Sequence, residues 1–313
     1  MANKLKQLPT GIQTFEKIRE GNYLYVDKTE LVYRLAHDSS YVFMSRPRRF
    51  GKSLLCSTLK SYFEGRRDLF EGLAIEQMET EWRKHPVLLI SLASMKAGTE
   101  KEFNDKIDVQ LRRYEEQFGI EKNDKTPGAR LQNLIEQLPA KTGEKAVVII
   151  DEYDAPLLAT LHEPEKLKEM RSIVRSLFGC LKDCDPYLRF VFITGITKFS
   201  QVSIFSELNN LDKITMFPAY STICGITQQE IETQMMPHVE KLAKDLAISV
   251  DDTLKLLKRN YDGYHFARDL KDVYNPYSLL QALKWSEPKD YWFDTGTPSS
   301  LVNMLMKFGT DIM

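Results

Sequence analysis

The sequence has little of several things that would name a class at once. It carries four cysteines, Cys56, Cys180, Cys184 and Cys224, in 313 residues. That is too few and too scattered for a disulfide framework. Cys180 and Cys184 lie one helical turn apart, but no second CxxC or HxxxH pair completes a tetrahedral zinc site. The five histidines form no HExxH and no nucleophile–base pattern. There is no apolar run of the roughly 18 residues needed to span a bilayer. The opening "MANKLKQLPTGIQTF" lacks the apolar core of a signal peptide, which leads us to expect a cytoplasmic location. Charge of one sign is missing too. The formal net charge is −1, so no global field draws the chain to nucleic acid or anionic lipid. Internal repeats and low-complexity tracts are absent.

What is there is an ordinary globular composition, 42% hydrophobic and 28% charged, arranged as alternating strand-like and helix-like segments. Short apolar runs at "YVFM" (41–44), "PVLLISL" (86–92), "AVVIID" (146–151) and "FVFITG" (190–195) have the continuous character of strands buried on both faces. A weaker run, "ITMFPAY" (214–220), reads as another strand. Amphipathic patterns over 52–64, 100–118, 128–138 and 164–183 fill the gaps. The pattern predicts an α/β fold with a mainly parallel sheet between helices. After about residue 222 the strand runs stop and helix starts multiply. Thr227 with Glu230 and Ser249 with Asp252 have capping-box spacing. Asn275-Pro276 and Thr297-Pro298 each offer an N-cap followed by proline. We therefore expect one unit over 1–222 and a smaller, mostly helical one over 223–313.

Two stretches carry chemistry. In "YVFMSRPRRFGKSLL" a buried strand runs into Gly51-Lys52-Ser53 and then into an amphipathic helix. A phosphate loop needs backbone N–H groups around the phosphates, a lysine on the terminal phosphate and a hydroxyl on Mg²⁺. Gly51, Lys52 and Ser53 offer all three. The triplet alone is weak, since average usage yields it in roughly one chain of this length in ten. Arg46 also stands where such loops usually have their first glycine. The second stretch, "AVVIIDEYDAPL", ends a buried strand in Asp151-Glu152. Asp151 can orient Mg²⁺ and Glu152 can polarise an attacking water. The two stretches would share the carboxyl edge of one sheet, where open α/β folds bind ligands. Their pairing supports a nucleotide site far better than either alone. A metal-dependent nuclease could also use Asp151, Glu152 and Asp154, but no lysine follows on a next strand.

Three further features stay open on residues alone. Thr194, at the end of the 190–195 strand, suits a γ-phosphate contact or a simple turn cap; Lys198 follows it. Arg46, Arg48 and Arg49 suit phosphate oxygens or an arginine finger, and equally solvated charge. The segment 22–36 could lie against a nucleotide base or pack the sheet edge.

Taken together, "YLYVDKTELVYRL", "FMSRPRRFGKSLL", "VVIIDEYDAPL", "FITGITKFSQVSIFSELNN", "TICGIT", "YDGYHF", "YNPYSLL" and "YWFDTGTPSSLV" resemble, in order, the AAA-ATPase-like family of bacterial proteins. The resemblance runs from about Leu8 to Leu305. In that family "RPRRFGKS" is the usual Walker A form, and members often carry a C-terminal PD-(D/E)XK nuclease-like domain, which we do not expect within these 313 residues. The resemblance implies a P-loop NTPase core followed by a helical, winged-helix-like region. It implies a nucleotide site from Arg46 through Pro47, Arg48, Arg49, Phe50, Gly51, Lys52 and Ser53, adjoined by Leu54, with Ser53 and Asp151 on Mg²⁺. The expected catalytic set is Lys52, Glu152, Arg46, Arg49 and Thr194. The expected function is Mg-ATP hydrolysis linked to movement of the helical region. The alternative is a nucleotide-binding regulatory scaffold with little turnover. A homo-oligomer or partner protein fits either reading, whereas membrane and nucleic acid are not expected for this chain.

Overall fold

The computed structural model describes residues 5–95, 99–122, 126–196, 211–267 and 272–291. Five strands form one parallel sheet: β1 (Tyr41–Ser45), β2 (Val87–Ser91), β3 (Ala146–Asp151), β4 (Leu188–Gly195) and β5 (Asp212–Lys213), in the order β2-β3-β4-β1-β5. Around it lie α1 (Phe15–Glu20), α2 (Thr29–Asp38), α3 (Lys52–Phe63), α4 (Glu100–Phe118), α5 (Pro127–Thr142), α6 (Ala155–Ala159) and α7 (Pro164–Asp183). The described residues beyond β5 form α8 (Gln228–Glu230), α9 (Met236–Leu246), α10 (Val250–Tyr261) and α11 (Pro276–Trp285). The α/β class and the parallel sheet match the sequence expectation.

Strand residues alternate between two cores, as a pleated ribbon with helices on both faces requires. Tyr41, Phe43, Val148, Ile150, Val191 and Ile193 enter a cluster roofed by α4, α5 and α7. Val42, Met44, Val147, Ile149, Phe190 and Phe192 enter the opposite one, closed by α2 and α3. A third cluster, built on Ile226, Ile231, Val239, Leu257, Tyr274 and Leu279, belongs to the helices after β5, but Leu8 joins it and Leu24 and Val26 pack against it. The amino-terminal segment therefore shares a core with the far end of the described chain.

The segment 214–220 is not a strand. Pairing stops after the two residues of β5, and 3₁₀ turns follow at Ile214–Met216 and Pro218–Tyr220. Pro218 has no N–H to give a ladder, so the run turns instead of extending. An isolated antiparallel bridge joins Tyr264 of "YDGYHF" to Val273. Thr227 and Glu230 form a full capping box. Ser249 and Asn275 cap α10 and α11. The expectations on Thr297-Pro298 and Lys198 lie outside the described residues. All four cysteines are buried thiols.

One ion pair joins the front of the chain to its helical end. Lys28 Nζ donates to both Glu230 oxygens at 2.5 and 2.7 Å, with both side chains largely buried. Burial lowers the lysine's pKa and Glu230 opposes that shift. Removing one partner of such a pair strands the other charge, which costs more than the pair itself contributes. Lys28→Met should therefore destabilise the fold by about 3–5 kcal/mol in urea melts. Pairing it with Glu230→Gln should recover part of that loss.

Candidate functional site

Because the sheet is parallel, the turns after β1, β3 and β4 emerge at one edge. β4 lies between β1 and β3, with Met44 opposite Thr194 and Ile150 opposite Ile193. This register brings Thr194 between the loop after β1 and the carboxylates after β3. The exits are tied together: Arg46 N–H donates to Gly195 O at 3.2 Å, Tyr153 N–H to Thr194 O at 3.1 Å, and Ile196 N–H to Asp154 Oδ2 at 2.9 Å. At Gly195 a β-carbon would lie 2.6 Å from Asp154 Oδ1 and from the Tyr153 ring, so this crossing demands glycine.

The loop from Arg46 to Gly51 turns through two left-handed residues, Arg49 (φ +65°) and Gly51 (φ +90°). Glycine takes that geometry freely; arginine takes it at a cost of roughly 1–2 kcal/mol. α3 then begins at Lys52 with no side-chain cap, so its first N–H groups face the loop without a side-chain acceptor. Lys52 Nζ donates to Arg46 O and Pro47 O, both at 3.0 Å, drawing the loop closed. Burial pushes the Lys52 pKa down, opposed by the Asp151, Glu152 and Asp154 carboxylates.

Asp151 closes β3 and is buried, which raises its pKa; a hydrogen bond from the Ser53 hydroxyl opposes the shift. Its Oδ1 and the Thr194 Oγ1 are both buried with no hydrogen-bond partner among the described residues. Glu152 adopts φ +52° and lines the adjoining cleft. Its pKa is raised, first by burial and then by Asp151. The cleft, about 750 Å³, is lined by Arg48, Arg49, Gly51, Lys52, Ser53 and Leu54 from the loop and α3. Glu152 and Asp154 form another wall, and Tyr277 of α11 a third. Beside it a smaller apolar hollow of about 100 Å³ shares Gly51 and Leu54 and is bounded by Leu24, Tyr25, Val26, Thr58 and Ile226. The segment 22–36 thus borders this hollow.

The loop residues divide into two sets. Arg46, expected to contact phosphate, is 1% exposed and turned beneath the loop. Its guanidinium donates to Ser45 O (3.0 Å), Thr215 O (2.7 Å) and Tyr220 O (3.1 Å), and lies 4.0 Å from the centre of the Phe266 ring. Phe50 is likewise buried, edge-on to Tyr264 at 4.7 Å and Phe266 at 5.5 Å between ring centres. Their side chains hold the loop from below and do not line the cleft, although Phe50 does line the adjoining apolar hollow. Pro47 contributes its carbonyl to Lys52. The aromatics of "YDGYHF" and "YNPYSLL" reach this loop from more than 200 residues away in sequence, a contact that spacing could not reveal although both blocks stood out in the sequence.

A family model described as a predicted AAA-ATPase matches residues 9–205. The chain belongs to the AAA-ATPase-like family. The match spans β1 to β4, the Gly51-Lys52-Ser53 stretch and the acidic end of β3, and stops short of β5. Among curated proteins it is 40% identical over 301 residues to an uncharacterised protein in the vnfD 5′ region of Azotobacter chroococcum mcd 1. The alignment covers 96% of this chain and 56% of that protein. Among the described residues, no helix of this AAA-ATPase-like chain is long and apolar enough to cross a membrane.

The anchoring role of Arg46 gives a measurable expectation. Arg46→Ala frees three carbonyls and opens space beside Phe266, so the melting temperature should fall by several degrees even without any ligand. An unchanged melting temperature would show that the loop does not depend on this guanidinium.

Proposed function

We propose that the chain binds Mg-ATP in the cleft and hydrolyses it, with residues 1–222 forming the nucleotide unit and 223–313 the helical unit that responds. The observation that carries this reading is the uncapped start of α3. Its first N–H groups, without a side-chain cap, adjoin a lysine held on loop carbonyls, near Asp151 and Glu152. A lysine satisfied only by carbonyls, at a helix amino terminus, is poised to exchange them for a phosphate.

The adjoining apolar hollow suits a base, and the phosphates then extend along the loop toward Lys52. Ser53 and Asp151 fit a magnesium ion. One supplies a hydroxyl, the other a buried carboxylate oxygen without a partner among the described residues. Bound Mg²⁺ would neutralise charge on the phosphate oxygens and in turn favour the ionised form of Asp151. Such an ion takes most of its remaining ligands from phosphate and water. Glu152 is the general base: its raised pKa makes it a stronger proton acceptor, and its left-handed backbone aims it into the cleft. Thr194, whose hydroxyl has no partner among the described residues, is fully buried behind the cleft lining, so its contact with the terminal phosphate or the attacking water needs the loop edge to open. The regulatory-scaffold reading differs in one measurable respect, turnover. The longer relative leaves room for a further unit that either version would serve.

Two variants separate these statements. Saturating Mg-ATP, at about 100 times its Kd, should stabilise the wild-type protein by about 2.7 kcal/mol. Lys52→Ala should abolish that stabilisation, and an unchanged shift would remove the phosphate-loop assignment. Glu152→Gln should keep the stabilisation while phosphate release falls by about 100-fold or more. Retained turnover in Glu152→Gln would refute the general-base role.

A further inference from the structure

The three arginines of the loop differ in how their donors are spent. Arg46 uses its guanidinium on carbonyls under the loop. Arg49 is exposed to the cleft, and its guanidinium carbon sits 4.0 Å from the centre of the Tyr277 ring. Among the described residues it forms no hydrogen bond or ion pair. Stacking engages the face of a guanidinium, whereas its N–H groups point outward in the plane. An arginine held this way is oriented while every donor stays available.

Tyr277 is well fixed for such a task. It lies in the first turn of α11, where Asn275 Oδ1 accepts the Ser278 N–H at 3.1 Å and the Asn275 N–H donates to Tyr261 O at 3.0 Å. Arg49 itself is held in the left-handed region, and its neighbour Phe50 is wedged between Tyr264 and Phe266. Neither end of the stack is free to drift.

Resting on the ATPase reading above, we propose that Arg49 is the arginine that stabilises transition-state charge on this chain's own nucleotide, and that Tyr277 is its positioning residue. The helical region would then contribute to catalysis by holding α11 where Tyr277 meets Arg49. Moving α11 away would release the guanidinium and slow hydrolysis without emptying the phosphate site. This couples turnover to the placement of the helical region through one ring.

The test compares Tyr277→Phe, Tyr277→Leu and Arg49→Ala in the full chain, with kcat from phosphate release and Kd for Mg-ATP from calorimetry. Tyr277→Leu should lower kcat about tenfold while Kd stays within about threefold; Tyr277→Phe, which keeps the ring, should stay within about twofold of wild type. Arg49→Ala should lower kcat about 100-fold or more, and adding Tyr277→Leu should lower it no further. If Tyr277→Leu does not fold, Tyr277→Met serves the same arm. Equal kcat in the ringless variant, equal damage from phenylalanine and leucine, or additive losses in the double variant would each overturn the proposal. Wild-type binding without turnover would also overturn it while leaving the nucleotide site standing. Failure of the wild type to bind Mg-ATP would instead remove the reading on which it rests.

Discussion

A cation buried without a carboxylate partner holds the loop in place. Taking a guanidinium out of water is costly unless its donors are met. Here Ser45, Thr215 and Tyr220 offer carbonyl oxygens to the two terminal nitrogens and the Phe266 ring covers a face, while Nε has no partner among the described residues. Burial lowers the Arg46 pKa to about 10, which still leaves it charged at neutral pH. The charge therefore persists at neutral pH, and whatever surrounds it must keep its carbonyls aimed inward. Those carbonyls come from the end of β1 and from the turns after β5, and the ring from Phe266 of the helical region, so all three meet the loop at a single side chain.

That constraint explains the division of labour in the loop. Arg46 and Phe50 face down into packing, which leaves the backbone between them to curve outward. Gly51 then provides the left-handed turn into α3, and Lys52 lies across the loop carbonyls. Above this platform the cleft has a polar wall of carboxylates and an aromatic wall from α11. The Lys28–Glu230 pair fastens the same two parts of the chain at a second point. A change in the loop cannot remain local, because its underside is built from residues 215–220 and 264–266.

Much of this was legible in the sequence. Continuous apolar runs identified β1 to β4 because strands covered on both faces have no polar side to alternate with. The 3.6-residue periodicity located α3, α4, α5 and α7 to within a few residues. The convergence of Lys52 with Asp151 followed from strand polarity, since carboxyl ends of parallel strands share an edge. The direction of Arg46 was not legible, because its partners lie 169 and 174 residues onward and nothing local selects between cleft and core. The run at 214–220 misled because its apolar residues pack from 3₁₀ turns as well as they would from a strand, and Pro218 decided the matter. Tyr264, Phe266 and Tyr277 belong by sequence position to the helical region, and nothing local ties them to the loop. Yet they pack against it.

The central claim is that the edge where β1, β3 and β4 end is a magnesium–nucleotide site. Calorimetric titration of ATP into the wild-type chain, with Mg²⁺ and with the ion chelated, tests it most directly. The account predicts saturable binding of one ATP per chain that weakens clearly when Mg²⁺ is removed. Absence of binding under both conditions would contradict it, and so would binding indifferent to the metal, since Ser53 and the unpartnered Asp151 oxygen would then have no ion to hold.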